Sequence, residues 1–391
     1  MDYSKLFSQR VKEIAPSGIR RFFGLVEEMK DVISLTIGQP DFVTPWHIRT
    51  AGIESLEGGK TYYTSNNGLL ELRREIAAYL GRRFGLSYRG KEEVIVTVGA
   101  SEAIDIAIRG IVNPGDEVII PLPAFVCYDP LVRLAGGVPV PIETKEENQF
   151  RLTAKELASA ITDKTKALIL PYPNNPTGAI MEQRDLEEIA AVLRGTDILV
   201  ISDEIYAELT YGATHVSIAS LPDMWERTIL VSGFSKAYAM TGWRLGYLAA
   251  PAPIVEEVYK IHQYAIMCAP TTAQFAAVEA LRNGDPDVAR MREEYDRRRK
   301  YIVARFRKMG IPCFEPKGAF YVFPNLSRFG MTSEEFCEKL LYEHRVAIVP
   351  GTAFGACGEG FARVSYAYSL RHIESALDRI EEMVNRLENK K

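Results

Sequence analysis

The sequence predicts an α/β fold: a large domain with a mostly parallel central sheet flanked by helices, joined to a small α+β domain. Three observations predict it. Over residues 94–250, short β-branched or apolar runs alternate with helical patterns. Those runs are continuously apolar rather than alternating, which marks strands covered on both faces. After about Asn283 the texture changes to long charged helices with short aromatic runs between them.

Taken in chain order, VIVTVG (94–99) reads as a strand and leads into a helix from Ser101 to about Val112. EVIIPL (117–122) is a strand, followed by a helix through 126–134. KALILPYP (166–173) is a strand before the amphipathic helix 182–193. DILVISDE (197–204), TILVSGF (228–234) and RLGYLAA (244–250) complete the set. Sheets of this kind bind ligands beyond the carboxyl ends of their strands. A charged helix over about 285–309 then leads to GAFYVFPNL, VAIVPG and FARVSYAYS, and a charged terminal helix begins near Leu370. The expected division is a large domain over 46–284 and a small domain made from 1–45 and 285–391, with no internal repeat.

Composition narrows the function without naming it. The chain has 391 residues, 47% hydrophobic and 25% charged, which suits an ordered globular protein rather than a disordered one. Lys and Arg total 47 against 51 Asp and Glu, a formal charge of −4. No basic excess exists to displace counterions, so a nucleic-acid partner is not expected. Apolar runs fall far below the ~18 residues of a membrane helix, so no membrane partner is expected either. The N-terminal MDYSKLFSQRVKEI lacks the apolar stretch of a signal peptide. Cys127, Cys268, Cys313, Cys337 and Cys357 are scattered and never spaced C-x-x-C, which fits a reducing compartment and a cytoplasmic location. The five histidines are equally scattered, so no metal site is expected.

Generic motif searches fail first. No G-x-G-x-x-G follows a strand, and no G-x-S-x-G occurs. GLSYRGK (85–91) has the spacing of a phosphate loop, but Glu92 replaces the required Ser or Thr and the segment precedes a strand. What stands out is VSGFSKAYAMTGWRLG (231–246), an apolar strand whose carboxyl end carries Lys236, with Arg244 eight residues on. Lys236 alone would read as a solvated strand end. ISDEIY (201–206) sets Asp203 and Glu204 at the end of a buried strand, where a carboxylate needs a cationic or hydrogen-bonding partner. PYPNNPTG (171–178) ends another strand with two amides and a turn.

These blocks resemble the class I/II aminotransferases that depend on pyridoxal phosphate. GFSK (233–236) with Arg244 and Gly246 looks like the family's cofactor-attachment motif. Asn175 in NNPTG, Asp203 and Tyr206 in SDEIY, and Arg363 in FARVSYA resemble its other signatures, in the same chain order and across essentially the whole chain. The resemblance implies the pyridoxal-phosphate transferase fold and a role for each residue. Lys236 is the amine that holds the cofactor aldehyde and then serves as general base. Asp203 faces the pyridine nitrogen, while Tyr206 and Asn175 hydrogen-bond the ring's phenolic oxygen. The turn in VTVGASEA offers the N–H groups of Ala100, Ser101 and Glu102 to the phosphate; its plainer reading is a helix N-cap by Ser101. Ser235 and Arg244 resemble the remaining phosphate ligands, although Gly233 stands where some relatives carry a serine. Phe125 matches the ring that stacks on the cofactor. Tyr63 (or the adjacent Tyr62) resembles the tyrosine that reaches a neighbouring subunit's phosphate, implying a homodimer with shared sites.

For substrate, the resemblance gives Arg363 to the α-carboxylate, with Gly38 and Asn175 beside it, and an amino acid and a 2-keto acid as the partners. Some bacterial aspartate aminotransferases carry a lysine where this chain has Ser101. Arg20 or Arg21, in PSGIRRF, is the candidate cation for a distal carboxylate. SGIRRF, DVISLTIGQPDF, MTGWRLGYL and VPGTAFG are similar to bacterial N-acetyl-LL-diaminopimelate aminotransferases of lysine biosynthesis. That branch implies a ping-pong reaction with the glutamate/2-oxoglutarate couple. The alternatives are aspartate or aromatic amino-acid transamination, a cofactor-dependent C–S lyase, and a non-enzymatic cofactor-sensing regulator.

Overall fold

The computed structural model describes residues 1–16, 29 and 31–389. A short strand β1 (Ile33–Ser34) comes first. The central sheet follows, from β2 (Val94–Thr97), β3 (Glu117–Leu122), β4 (Val138–Glu143), β5 (Thr165–Leu170), β6 (Leu199–Asp203), β7 (Thr228–Gly233) and β8 (Gly246–Ala249). Its order is β2-β8-β7-β6-β5-β3-β4. Only β8 is antiparallel to its two neighbours, so the other six strands run in one direction.

The strands hold because both faces are covered. Along β7, Ile229 and Val231 pack under the helices Gly99–Ile111 and Ala252–Ala265, while Leu230 packs on the other face toward Leu70–Phe84 and Thr271–Asn283. Strand alternation therefore feeds two cores at once. Each fully buried Ile or Leu contributes about 1.5–3 kcal/mol over exposure. The β4 strand was not expected: VPVPIE carries two prolines and leaves Val138 46% exposed, which is tolerated because β4 is the sheet edge. The expected 126–134 helix is Tyr128–Ala135. The 244–250 run forms strand only from Gly246.

Two small sheets complete the fold. β1 pairs in parallel with β10 (Val346–Ala347). β9 (Tyr321–Val322), β11 (Val349–Pro350) and β12 (Ala362–Ser365) form the second, with β12 in the middle. The helices Asp285–Lys308, Ser333–His344 and Leu370–Glu388 pack on them. In the last, Ile373, Leu377, Ile380 and Val384 are buried along one face, and the Ser369 hydroxyl accepts the His372 N–H at 3.3 Å to cap the start. The first helix, Gln9–Lys12, behaves differently from the expectation that all of 1–45 packs on the small unit. Arg10 donates to the Leu134 carbonyl at 3.1 Å, at the C-terminal end of Tyr128–Ala135, where unpaired carbonyls attract a cation.

No helix among the described residues is long and apolar enough to cross a membrane. Among them no group of His, Cys, Asp and Glu is placed to hold a metal ion.

Candidate active site

Because six strands share a direction, the ends of β2, β5, β6 and β7 meet at one sheet edge, and the start of the reversed β8 joins them. A cavity of about 410 Å³ opens there. Asp203, Tyr206, Lys236, Arg244, Arg363 and Tyr321 line it, together with Gly38, Asn175, Phe125, Ser235, Ala100 and Ser101.

Asp203 is the last residue of β6 and is 5% exposed. The Tyr128 hydroxyl donates to its Oδ2 at 2.7 Å, and the Ile205 N–H to its Oδ1 at 3.2 Å. Burial pushes this carboxyl up, against those two hydrogen bonds and the Lys236 charge, which pull it down. Its neighbour Glu204 turns away from the cavity. It accepts hydrogen bonds from Ser202 (2.8 Å) and Ser217 (2.6 Å) and pairs with His215 at 2.8 Å. Adjacent carboxylates on one strand end thus have separate duties.

Lys236 follows β7 by three positions, and its Nζ donates to the Gly38 carbonyl at 2.6 Å. The ammonium stands 5.7 Å from the ring centres of both Tyr206 and Phe320. Burial, and then the positive charges of Arg363 and Arg244, lower it to about 8. Tyr206 and Tyr321 share a hydroxyl–hydroxyl hydrogen bond of 2.9 Å, and burial holds the Tyr206 phenol well above its usual range. A Cβ at Gly38 would sit 2.2 Å from the Tyr321 hydroxyl, so a larger residue there would displace the group that bonds Tyr206.

Arg363, on β12, is 3% exposed. Its Nη1 donates to Asn175 Oδ1 at 2.9 Å and its Nη2 to the Thr36 carbonyl at 2.5 Å, while its buried Nε has no partner. The guanidinium lies 4.5 Å from the Tyr321 ring centre and 4.8 Å from that of Phe354. It is held in plane by aromatic faces and still has a donor to offer.

The β2 strand runs through Val98 into the helix Gly99–Ile111, whose first N–H groups have no partner within the helix. Gly99 has φ 76°, and a Cβ on it would come 2.6 Å from Arg244 Nη2. Arg244 itself adopts a left-handed φ of 51°, a conformation that costs about 1–2 kcal/mol outside glycine. The result is a guanidinium laid over a helix N-terminus, a site for an anion. Ser235 is buried beside it, and Phe125 lines the cavity edge-on to Tyr128, with ring centres 6.1 Å apart.

The structure therefore gathers every expected residue at the cavity except three. Glu102 stands in the first turn of the helix Gly99–Ile111 but does not line the cavity. Tyr63 is 76% exposed, on a surface loop away from the cavity. Arg20 lies outside the described residues. Sequence reading missed Tyr128, Tyr321 and Thr36. Tyr321 stands in GAFYVFP and Tyr128 three places after Phe125, so hydroxylated aromatics beside recognised motifs were the only available signal.

The donor set suits pyridoxal phosphate: an anion cradle with a guanidinium, an amine with a lowered pKa, and a buried carboxylate held by Tyr128, with the Phe125 ring also lining the cavity. The family described as aminotransferase class I and II matches residues 30–380. The chain is 53% identical over 379 residues to the putative aminotransferase YugH of Bacillus subtilis, covering 97% of this chain and 98% of that one. It is 49% identical over 380 residues to an aspartate aminotransferase of Pyrococcus abyssi (96% and 98% covered). A probable N-acetyl-LL-diaminopimelate aminotransferase of Bacillus subtilis is 45% identical over 376 residues (96% and 95%). Among solved structures, Pyrococcus protein-A1 superposes with a TM-score of 0.95 at 49% identity, over 96% of this chain and 98% of that one. The chain belongs to the class I and II aminotransferases, enzymes whose cofactor is pyridoxal phosphate.

Proposed function

We propose that this aminotransferase moves an amino group between an amino acid and a 2-keto acid in a ping-pong cycle. Its pairs are glutamate/2-oxoglutarate and N-acetyl-LL-diaminopimelate with its keto acid. The observation that carries the residue roles is the convergence of Lys236, Asp203, Tyr206 and Arg363 on one cavity at one sheet edge. When bound, pyridoxal phosphate supplies a ring that stabilises negative charge at the substrate α-carbon. Lys236 Nζ carries the cofactor and, once released, takes and returns the α-proton; a pKa near 8 leaves part of it unprotonated at neutral pH. Asp203, fixed by Tyr128, holds the proton on the pyridine nitrogen. Tyr206, bonded to Tyr321, and Asn175 address the phenolic oxygen. Ala100, Ser101, Glu102 (through their N–H groups), Ser235 and Arg244 hold the phosphate, and Phe125 stacks on the ring. Arg363 meets the α-carboxylate in a plane already set by Asn175, with Gly38 alongside.

The domain reading follows from the same arrangement. A large cofactor-binding unit over 46–284 supplies Asp203, Lys236 and Arg244, while Gly38, Tyr321 and Arg363 come from the chain-end unit. Exposed Trp46, Ile53, Leu56, Tyr62 and Tyr63 suit the face of a homodimer in which Tyr63 reaches the partner's phosphate. Sedimentation of the holoenzyme at a monomer mass would refute the dimer.

Substrate identity rests on the sequence blocks shared with the diaminopimelate branch and on the relative named for that activity. The cavity lining holds three cations among the described residues, Lys236, Arg244 and Arg363, each with a role already. A distal carboxylate is therefore assigned to Arg20, or to the adjacent Arg21, both outside the described residues. Aspartate is the second reading, favoured by the relative named an aspartate aminotransferase. The test is a half-reaction screen of amino acids against the cofactor-loaded protein. N-acetyl-LL-diaminopimelate should react fastest; aspartate ahead of it selects the second reading. Release of pyruvate and ammonia from cystathionine, without transfer to 2-oxoglutarate, would sink the transaminase assignment.

A further inference from the structure

His262 lies in the last turn of the helix Ala252–Ala265, is 0% exposed, and does not line the cavity. Its Nδ1 stands 2.5 Å from Glu102 Oε1 and its Nε2 2.7 Å from the Asn66 carbonyl. A carbonyl oxygen only accepts, so Nε2 carries a proton. Nδ1 faces a carboxylate, so the dyad shares a second proton between ring and carboxylate. Burial opposes the ring's charge, but the bonds to Glu102 and Asn66 outweigh it and raise the imidazole above its usual range.

Glu102 is an awkward residue for its place. Its carboxylate sits in the first turn of the helix whose N-terminus, with Arg244 above it, forms the anion cradle. A lone carboxylate there suits an empty helix end, since it complements the dipole. Beside a bound dianion the same charge is repulsive. Yet the side chain has a use. Its Oε2 accepts the Val98 N–H at 2.5 Å, which folds the turn and leaves the following N–H groups to the cavity.

We propose that His262 is a positioning residue for the cofactor phosphate. It neutralises Glu102 and orients it against Val98, so that the helix N-terminus can accept a dianion. This rests on reading the turn at 98–102 as the phosphate cradle. The same ring also ties down the loop that carries Tyr63. Asn66 O accepts from His262, Asn67 O accepts the Val96 N–H at 3.1 Å, and Gln274 Nε2 donates to Thr64 at 3.1 Å. One imidazole thus braces the subunit's own cradle and the loop offered to its neighbour.

The test compares pyridoxal phosphate with pyridoxal, which lacks the phosphate, by equilibrium dialysis against apoprotein. H262N should weaken pyridoxal phosphate about tenfold, the scale of one uncompensated charge near an anion, and leave pyridoxal within about twofold. Adding E102Q to H262N should restore most of the loss. Equal weakening of both ligands, no weakening, or no rescue would overturn the proposal. R244A separates the underlying reading: it should also lose pyridoxal phosphate selectively, and an equal loss of both ligands would place the phosphate elsewhere. If R244A is selective and H262N is not, only the His262 inference fails. Should H262N not fold, nitrogen-15 NMR of the wild-type apoprotein decides: both ring nitrogens of His262 should carry protons near pH 7.5, and a neutral ring with an ionised Glu102 would refute the proposal.

Discussion

Replacing Tyr128 by phenylalanine removes one oxygen from the site and nothing else of consequence, because the ring keeps its place under Phe125 and in the core. The lost group is the donor that meets Asp203 Oδ2 at 2.7 Å in a fully buried setting. A hydrogen bond to a charged acceptor contributes about 1.5–3 kcal/mol, and one pKa unit is about 1.4 kcal/mol. Asp203, already pushed up by burial, should therefore rise by a further one to two units, roughly. A carboxylate that holds its charge less firmly holds the pyridine proton less firmly. The chemical step should slow about ten- to hundredfold, and substrate affinity should stay nearly constant because Tyr128 does not touch Arg363. Rapid mixing of the cofactor-loaded variant with glutamate reads both quantities, the rate from its plateau and the affinity from its concentration dependence. An unchanged plateau rate would refute the account of how Asp203 is held. So would a change confined to affinity.

Three further outcomes bear on the same site. Lys236→Ala should abolish covalent retention of the cofactor and turnover alike, as read by mass spectrometry and by loss of the linked cofactor's absorbance band; turnover near the wild-type rate would remove Lys236 from the mechanism. Attachment of cofactor to apoprotein requires the neutral amine, and the Lys236 pKa is lowered to about 8, so the attachment rate should climb as pH rises through about 8 and then level. A climb that continues toward the ordinary lysine value of about 10.4 would mean the burial argument is wrong. Arg363→Lys keeps a charge but abandons Asn175 Oδ1 or the Thr36 carbonyl, so KM for amino acids should rise about tenfold or more with a smaller change in kcat. Steady-state kinetics on glutamate checks it, and an equal fall in kcat would reassign the residue.

Much of this site was readable before any coordinates. The continuous apolar runs of β5, β6 and β7 announced a doubly covered sheet, and the residues ending those runs fell together because a parallel sheet brings its strand ends to one edge. What escaped had no local signature. β4 was hidden by Pro139 and Pro141, which lower strand propensity but cost little at an edge. The partners of Asp203 and Tyr206 lie 75 and 115 positions away in the chain. No periodicity encodes a contact at that separation. His262 stood out only as one of five scattered histidines, because the carboxylate it faces is 160 positions distant and belongs to a turn whose function was assigned through its N–H groups. Arg10 was legible as a charge but not as a ligand for the carbonyls ending Tyr128–Ala135.

The backward run of β8 has a consequence for how the enzyme can change. The stretch leaving β7 and entering β8 carries Lys236 near its start and Arg244 near its finish, and both of its ends are pinned by the pairing of Gly233 with Gly246. The loop thus behaves as a fixed-length gauge, setting the span between the amine and the guanidinium, the groups assigned to opposite ends of one small molecule. A substitution elsewhere around the cavity alters one contact at a time. Deleting or adding a single residue within 237–243 would miscalibrate both grips together, so substrate preference has room to drift on this scaffold while the length of that loop has almost none.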